Sequence, residues 1–183
     1  MPKIAIISPS VRKGRKSHNV ALYFLNLIKE MNLGEAEILD LQNYNFPLFN
    51  ERLKHQESPS PGAIEFADKI RSADGVIIIS PEYNGGVPAS LKNAVDLLTD
   101  EWKNKPVAFV TVSDGNFAGT QAIISLQFSL WKLGADTVPG PLRIPNIISA
   151  FIDSGIPADK PAMDIRASAF VNNFLRRLDP VKQ

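Results

Sequence analysis

The sequence contains no cysteine, only two histidines and no excess of either charge. Without cysteine there can be no disulfide, no thiolate metal ligand and no catalytic thiol. His18 and His55 have no second histidine near them, so a His-rich zinc site or a metalloprotease helix has nothing to be built from. Twenty Lys and Arg stand against 19 Asp and Glu, a net charge of +1. A general nucleic-acid binder would carry a marked basic excess. No apolar run approaches the roughly 18 to 20 residues that a membrane helix needs. The Ile4–Ile7 run behind Met1-Pro2-Lys3 is too short for the core of a secretory leader, so the expectation is a cytoplasmic protein. No G-x-G-x-x-G follows the first strand, and neither G-x-x-x-x-G-K-[ST] nor G-x-S-x-G occurs. A Rossmann dinucleotide site, a P-loop and a serine-hydrolase elbow are thereby excluded.

What remains is 183 residues, 44% of them hydrophobic, which suits one domain over residues 1–183. Lys3–Ser8, Gly75–Ser80 and Pro106–Val112 are apolar without alternation, as strands covered on both faces should be. Glu37–Leu41 is a weaker strand, and Asp136–Val138 a short fifth. Ala21, Phe24, Leu25 and Ile28 fall at helical spacing, and Ala63–Ala73, Ala89–Leu98 and Thr120–Leu133 also read as helices. Ala167, Phe170, Val171, Phe174 and Leu178 form a stripe on a C-terminal helix, with Arg176 and Arg177 suiting its end. Asn50–Gly62 and Pro139–Pro145 read as irregular connections. Strands alternating with helices predict an α/β fold, a doubly wound, mainly parallel sheet with helices on both faces. Ligands of such sheets sit beyond the C-terminal strand ends, where the strand order reverses. The loops after Ser8, Ser80 and Val112 are therefore the candidates.

The first loop runs from Ser8 to Asn19 and leads into the first helix. Ser10, Ser17 and Asn19 can donate to phosphate oxygens, Arg12 can add charge, and the helix N-terminus supplies free N–H groups. The competing reading is helix capping by Ser17 or Asn19 under a solvated basic loop. Lys13, Arg15 and Lys16 read as solvated, or as partners for the extra phosphate of a dinucleotide. The second loop, Pro81-Glu82-Tyr83-Asn84-Gly85-Gly86-Val87-Pro88, offers a turn free of Cβ that a flat ring could approach, with Pro88 at a helix start. Glu82 reads better as a structural group, pairing with a cation or capping a helix, than as an acid or base. Tyr83 is a packing or a stacking residue. The third loop is Ser113-Asp114-Gly115-Asn116-Phe117-Ala118-Gly119-Thr120-Gln121, which taken alone also reads as a plain strand-to-helix turn.

The run PEYN…P..LKNA.D, with the serine-and-arginine loop upstream, closely resembles the NADPH-dependent FMN reductase family, which includes azo-dye, quinone and chromate reductases. The resemblance extends from Lys3 to about Ala135. It departs at Pro9, where the family usually has Gly-Ser, and at Ala118, where a glycine is common. It implies a flavodoxin-like, five-stranded parallel sheet and an FMN cofactor held by Ser10, Arg12, Ser17 and Asn19 at the phosphate. Pro81, Glu82, Tyr83, Asn84 and Gly85 would lie along one side of the flavin ring, and Ser113, Gly115 and Asn116 along its other edge. It further implies NADPH or NADH as co-substrate, a small-molecule acceptor such as a flavin, quinone or azo compound, ping-pong turnover and a homodimer or homotetramer. No catalytic side chain and no metal is expected, because the flavin carries the chemistry. Two alternatives stay open. One is a flavodoxin-like electron carrier, against which the charge of +1 speaks; the other is a non-catalytic FMN-binding or regulatory protein.

Overall fold

A computed structural model describes residues 1–152 and 154–178. In chain order the elements are β1 (Lys3–Ser8), α1 (Ser17–Glu30), β2 (Glu35–Asp40), α2 (Leu41–Tyr44), α3 (Pro61–Ser72), β3 (Gly75–Pro81), α4 (Ala89–Leu97), β4 (Pro106–Val112), α5 (Thr120–Lys132), β5 (Asp136–Thr137), β6 (Leu142–Ile144), α6 (Ile147–Ala150) and α7 (Lys160–Leu178). All strand pairs are parallel, in the order β2-β1-β3-β4-β5, with β6 also on β4.

The apolar runs are continuous because both faces of the sheet are buried. Ile4 and Ile6, Ile77 and Ile79, and Ala108 and Val110 point to one side, into a core closed by Phe24 of α1 and Phe170 and Phe174 of α7. Ala5 and Ile7, Ile78, and Val107 and Phe109 point to the other, against Phe66 of α3, Leu91 and Val95 of α4 and Leu126 of α5. Period-2 alternation thus persists, but between two apolar layers.

Three expectations need correcting. β2 begins earlier than expected and ends at Asp40, whose register partner is Ser8, so its carboxylate sits beside the first loop. Pro139–Pro145 is not wholly irregular, since it contains β6. β5 pairs with Pro106 and Val107, and β6 with Val110–Val112, so together they fill the fifth position of the sheet. The gap between them holds Pro139 and Pro141, which have no N–H for the ladder, and Gly140 at φ +81°. Finally, Asn50–Gly62 carries a single 3-10 turn at Leu53–His55 and gives way to α3 at Pro61, where the Ser60 hydroxyl accepts the Ala63 N–H (3.2 Å). Among the described residues no helix is long and apolar enough to cross a membrane, and no cluster of His, Asp and Glu is arranged to hold a metal.

Candidate functional site at the strand-order reversal

Strand order reverses between β1 and β3, so the loops following them diverge and leave a crevice at the C-terminal edge of the sheet. A cavity of about 380 Å³ lies there, lined by Arg12–Ser17 of the first loop, Pro81–Tyr83 of the second, Val112–Asp114 of the third, and Ile147 and Ile148 of α6. Larger hollows of about 860 and 870 Å³ occur between β2 and α3 and beside the end of α7. Neither lies at the reversal, and it is there that loop donors from three strand ends converge.

The first loop closes over the start of α1. Lys16 occupies the position before the helix, with no side chain capping it, and Ser17 is the first helical residue. Its Oγ is buried (2% exposed for the residue) and has no hydrogen-bond partner among the described residues. Capping by Ser17 is therefore not what this loop does. A buried, unpartnered hydroxyl costs about 1–3 kcal/mol. Here it lies beside the helix N–H groups and the positive end of the helix dipole, a place where an anion binds. Arg12 and Lys13 are exposed around it. Asn19 lies two positions beyond the cavity lining, its N–H on the Lys16 carbonyl (3.1 Å).

Arg15 overturns its assignment as a solvated cation. Its guanidinium forks onto Asp40 (2.5 Å to each oxygen) and donates to the Ser10 carbonyl (2.6 Å). The two side chains are only 13% and 10% exposed. Burial pushes the Asp40 carboxyl up, but the Arg15 hydrogen bonds, the Gln42 N–H and the charges of Arg15 and His18 outweigh it, holding Asp40 below its usual range. His18 Nδ1 lies 3.0 Å from the Ser8 hydroxyl and 3.7 Å from Asp40. Burial first, then the Arg15 charge, lowers its pKa against the pull of Asp40.

The second loop is a tight hairpin. Tyr83 and Gly86 exchange both backbone hydrogen bonds (2.8 and 3.1 Å), while Asn84 (φ +52°) and Gly85 (φ +79°) form the left-handed corner characteristic of type I′ turns. Tyr83 packs inward, its hydroxyl 2.7 Å from Ser10 Oγ, and this contact joins the first two loops. Glu82 takes the structural role. Its carboxylate accepts the Gln121 N–H (3.1 Å) in the first turn of α5, where helix dipole and negative charge agree. Ser90 Oγ donates to the Pro9 carbonyl (2.5 Å), so the residue that departs from the family pattern still anchors the first loop to α4.

In the third loop Ser113 lines the cavity and donates through Oγ to the Gly115 carbonyl (2.8 Å). Gly115 and Asn116 are exposed, and Asn116 accepts from Asn146 (3.3 Å). Ala118 adopts φ +52°, a conformation glycine takes at no cost, and its carbonyl accepts the Thr111 hydroxyl (2.7 Å). The structure thus brings Arg12, Ser17, Pro81, Glu82, Tyr83 and Ser113 to one cavity. Ser10 is outside the lining but bonded to Tyr83, and Asn19, Asn84, Gly85, Gly115 and Asn116 do not line it. Sequence reasoning missed Asp114, Ile147 and Ile148. The isoleucine pair follows β6 just beyond the Pro139–Pro145 connection, in a short apolar stretch without a period, where the sequence predicts no element.

The architecture is shared by FerB, a flavoenzyme NAD(P)H:(acceptor) oxidoreductase from Paracoccus denitrificans, at a TM-score of 0.78 with 24% identity over 97% of both chains. A flavodoxin mutant from Pseudomonas aeruginosa superposes at 0.59 with 17% identity, over 96% of this chain and 98% of that one. The fold is thus flavodoxin-like. Residues 2–146 match the NADPH-dependent FMN reductase family, and the chain belongs to it. It is 34% identical to a quinone reductase of Pseudomonas putida, over 93% of this chain and 91% of the relative. An NAD(P)H-dependent FMN reductase of Nectria sp. is 28% identical over 100% and 96%. Membership makes the protein an oxidoreductase that works with FMN and a reduced nicotinamide.

Proposed function

We propose that the crevice between β1, β3 and β4 holds FMN and that the protein reduces a quinone, azo compound or free flavin at the expense of NADPH or NADH. The observation that carries this reading is the unpartnered Ser17 hydroxyl at the start of α1. A phosphate there would accept from Ser17 and the first N–H groups of the helix, with Arg12 supplying charge from the exposed side. Pro81, Tyr83, Asn84 and Gly85 would border one side of the ring, with Tyr83 held inward by Ser10 rather than stacked on it. Ser113, Gly115 and Asn116 would border its other edge, and Asn19 would complete the phosphate shell. When bound, FMN supplies a ring that takes a hydride from the nicotinamide and then yields electrons to the acceptor. The side chains of the crevice bind and orient, and none is asked to move a proton; Glu82 is committed to α5.

One crevice serves both partners, so nicotinamide and acceptor use it in turn. Initial rates with NADPH and a benzoquinone should give parallel double-reciprocal lines. Intersecting lines would contradict sequential use of one crevice, and absence of turnover with a flavin-loaded protein would favour a carrier. The reading includes a homo-oligomer. Ile124, Phe128 and Trp131 lie at i, i+4 and i+7 on the outer face of α5 and are 68%, 63% and 55% exposed, an apolar stripe suited to a second copy.

A further inference from the structure

We propose that Arg15 and Asp40 are positioning residues that strap the phosphate-binding loop to β2 in the shape the ligand needs; this rests on the FMN reading above. Asp40 is a fixed post. It ends β2 in register with Ser8, and its Oδ1 accepts the Gln42 N–H (3.1 Å). Arg15 Nη1 bridges Asp40 Oδ1 (2.5 Å) and the Ser10 carbonyl (2.6 Å), while Nη2 reaches Oδ2 (2.5 Å). One guanidinium therefore ties the start of the loop, its own position near the end, and the neighbouring strand. The Arg15 N–H closes a turn onto the Arg12 carbonyl (3.2 Å), which sets the backbone from which the Arg12 side chain departs. Ser10 Oγ meets the Tyr83 hydroxyl (2.7 Å), extending the strap to the second loop. A loop already shaped loses less entropy when it binds.

Charge and strap make opposite predictions. Asp40 is a carboxylate near an anion site, so removing its charge should tighten phosphate binding if only Coulomb interactions mattered. The strap predicts weaker binding, confined to the phosphate-bearing ligand. FMN and riboflavin are titrated into flavin-free wild type, Asp40→Asn, Arg15→Met, Arg15→Lys and the Arg15→Met/Asp40→Asn double variant, following flavin fluorescence. Each single variant should raise the Kd for FMN about tenfold or more, the loss expected when a charged hydrogen-bonded group no longer holds its partner. The Kd for riboflavin should stay unchanged, and the double variant should be no weaker than the worse single one. Arg15→Lys keeps the charge but not the fork, and it decides the matter alone if Asp40→Asn does not fold. Unchanged or tighter FMN binding, or equal weakening for both flavins, would overturn the strap. A wild type that binds FMN no better than riboflavin would refute the phosphate site itself, a different failure.

Discussion

Replacing Ser17 by alanine should move stability and ligand binding in opposite directions. Without ligand the Ser17 hydroxyl is buried and has no partner among the described residues, so its removal relieves a desolvation cost of about 1–3 kcal/mol. Alanine is also the better helix former at the first position of α1. A gain of about 1 kcal/mol would raise the Tm of a chain this size by about 2–4 °C. With FMN the same hydroxyl would donate to a charged phosphate, a bond worth about 1.5–3 kcal/mol, so affinity should fall about 10- to 150-fold. Thermal unfolding of the flavin-free protein and a fluorescence titration with FMN read the two effects separately. A helix-capping serine would behave otherwise, with the flavin-free variant losing about 1 kcal/mol and FMN affinity unchanged. That pair of results would refute the reasoning.

Gly85→Val forces a β-branched residue into φ +79°; purified protein should lose flavin and about 1–2 kcal/mol in thermal unfolding, whereas Gly85→Asn, which tolerates this conformation and whose Cβ meets only the movable end of the Gln121 side chain (2.8 Å), should keep both. The folded pKa of His18 lies below its ordinary 6.5. The unfolded chain therefore binds the proton more readily, and the contribution of His18, complete above pH 6.5, is lost as pH falls toward the folded value. Between pH 7 and 5 the Tm of wild type should drop more steeply than that of His18→Gln, and parallel curves would contradict the assignment. In sedimentation velocity wild type should run as a dimer or tetramer and Phe128→Glu, on the outer face of α5, as a monomer; a monomeric wild type would contradict the assignment.

Much of the frame could be read from hydrophobic pattern because parallel strands buried on both faces announce themselves. β1 and β4 fall where their β-branched runs begin and end. β6 escaped notice because three residues between prolines carry no period, and only their pairing with Val110–Val112 defines them. The candidate site was legible where structure is local, as with the Asn84-Gly85 turn, whereas α1 begins at Ser17, inside the stretch read as loop through Asn19. It was not legible where chemistry depends on a neighbouring strand. Nothing in the sequence around Arg15 says that its partner is Asp40, because the parallel register between β1 and β2 brings them together. The same holds for Glu82, whose partner N–H belongs to α5.

The most direct test is the visible absorbance spectrum of freshly purified protein, recorded before and after anaerobic addition of NADPH and then of a quinone. The account predicts a yellow protein with one FMN per chain, bleached by NADPH and recoloured by the quinone. A colourless protein that stays colourless after incubation with FMN would contradict it.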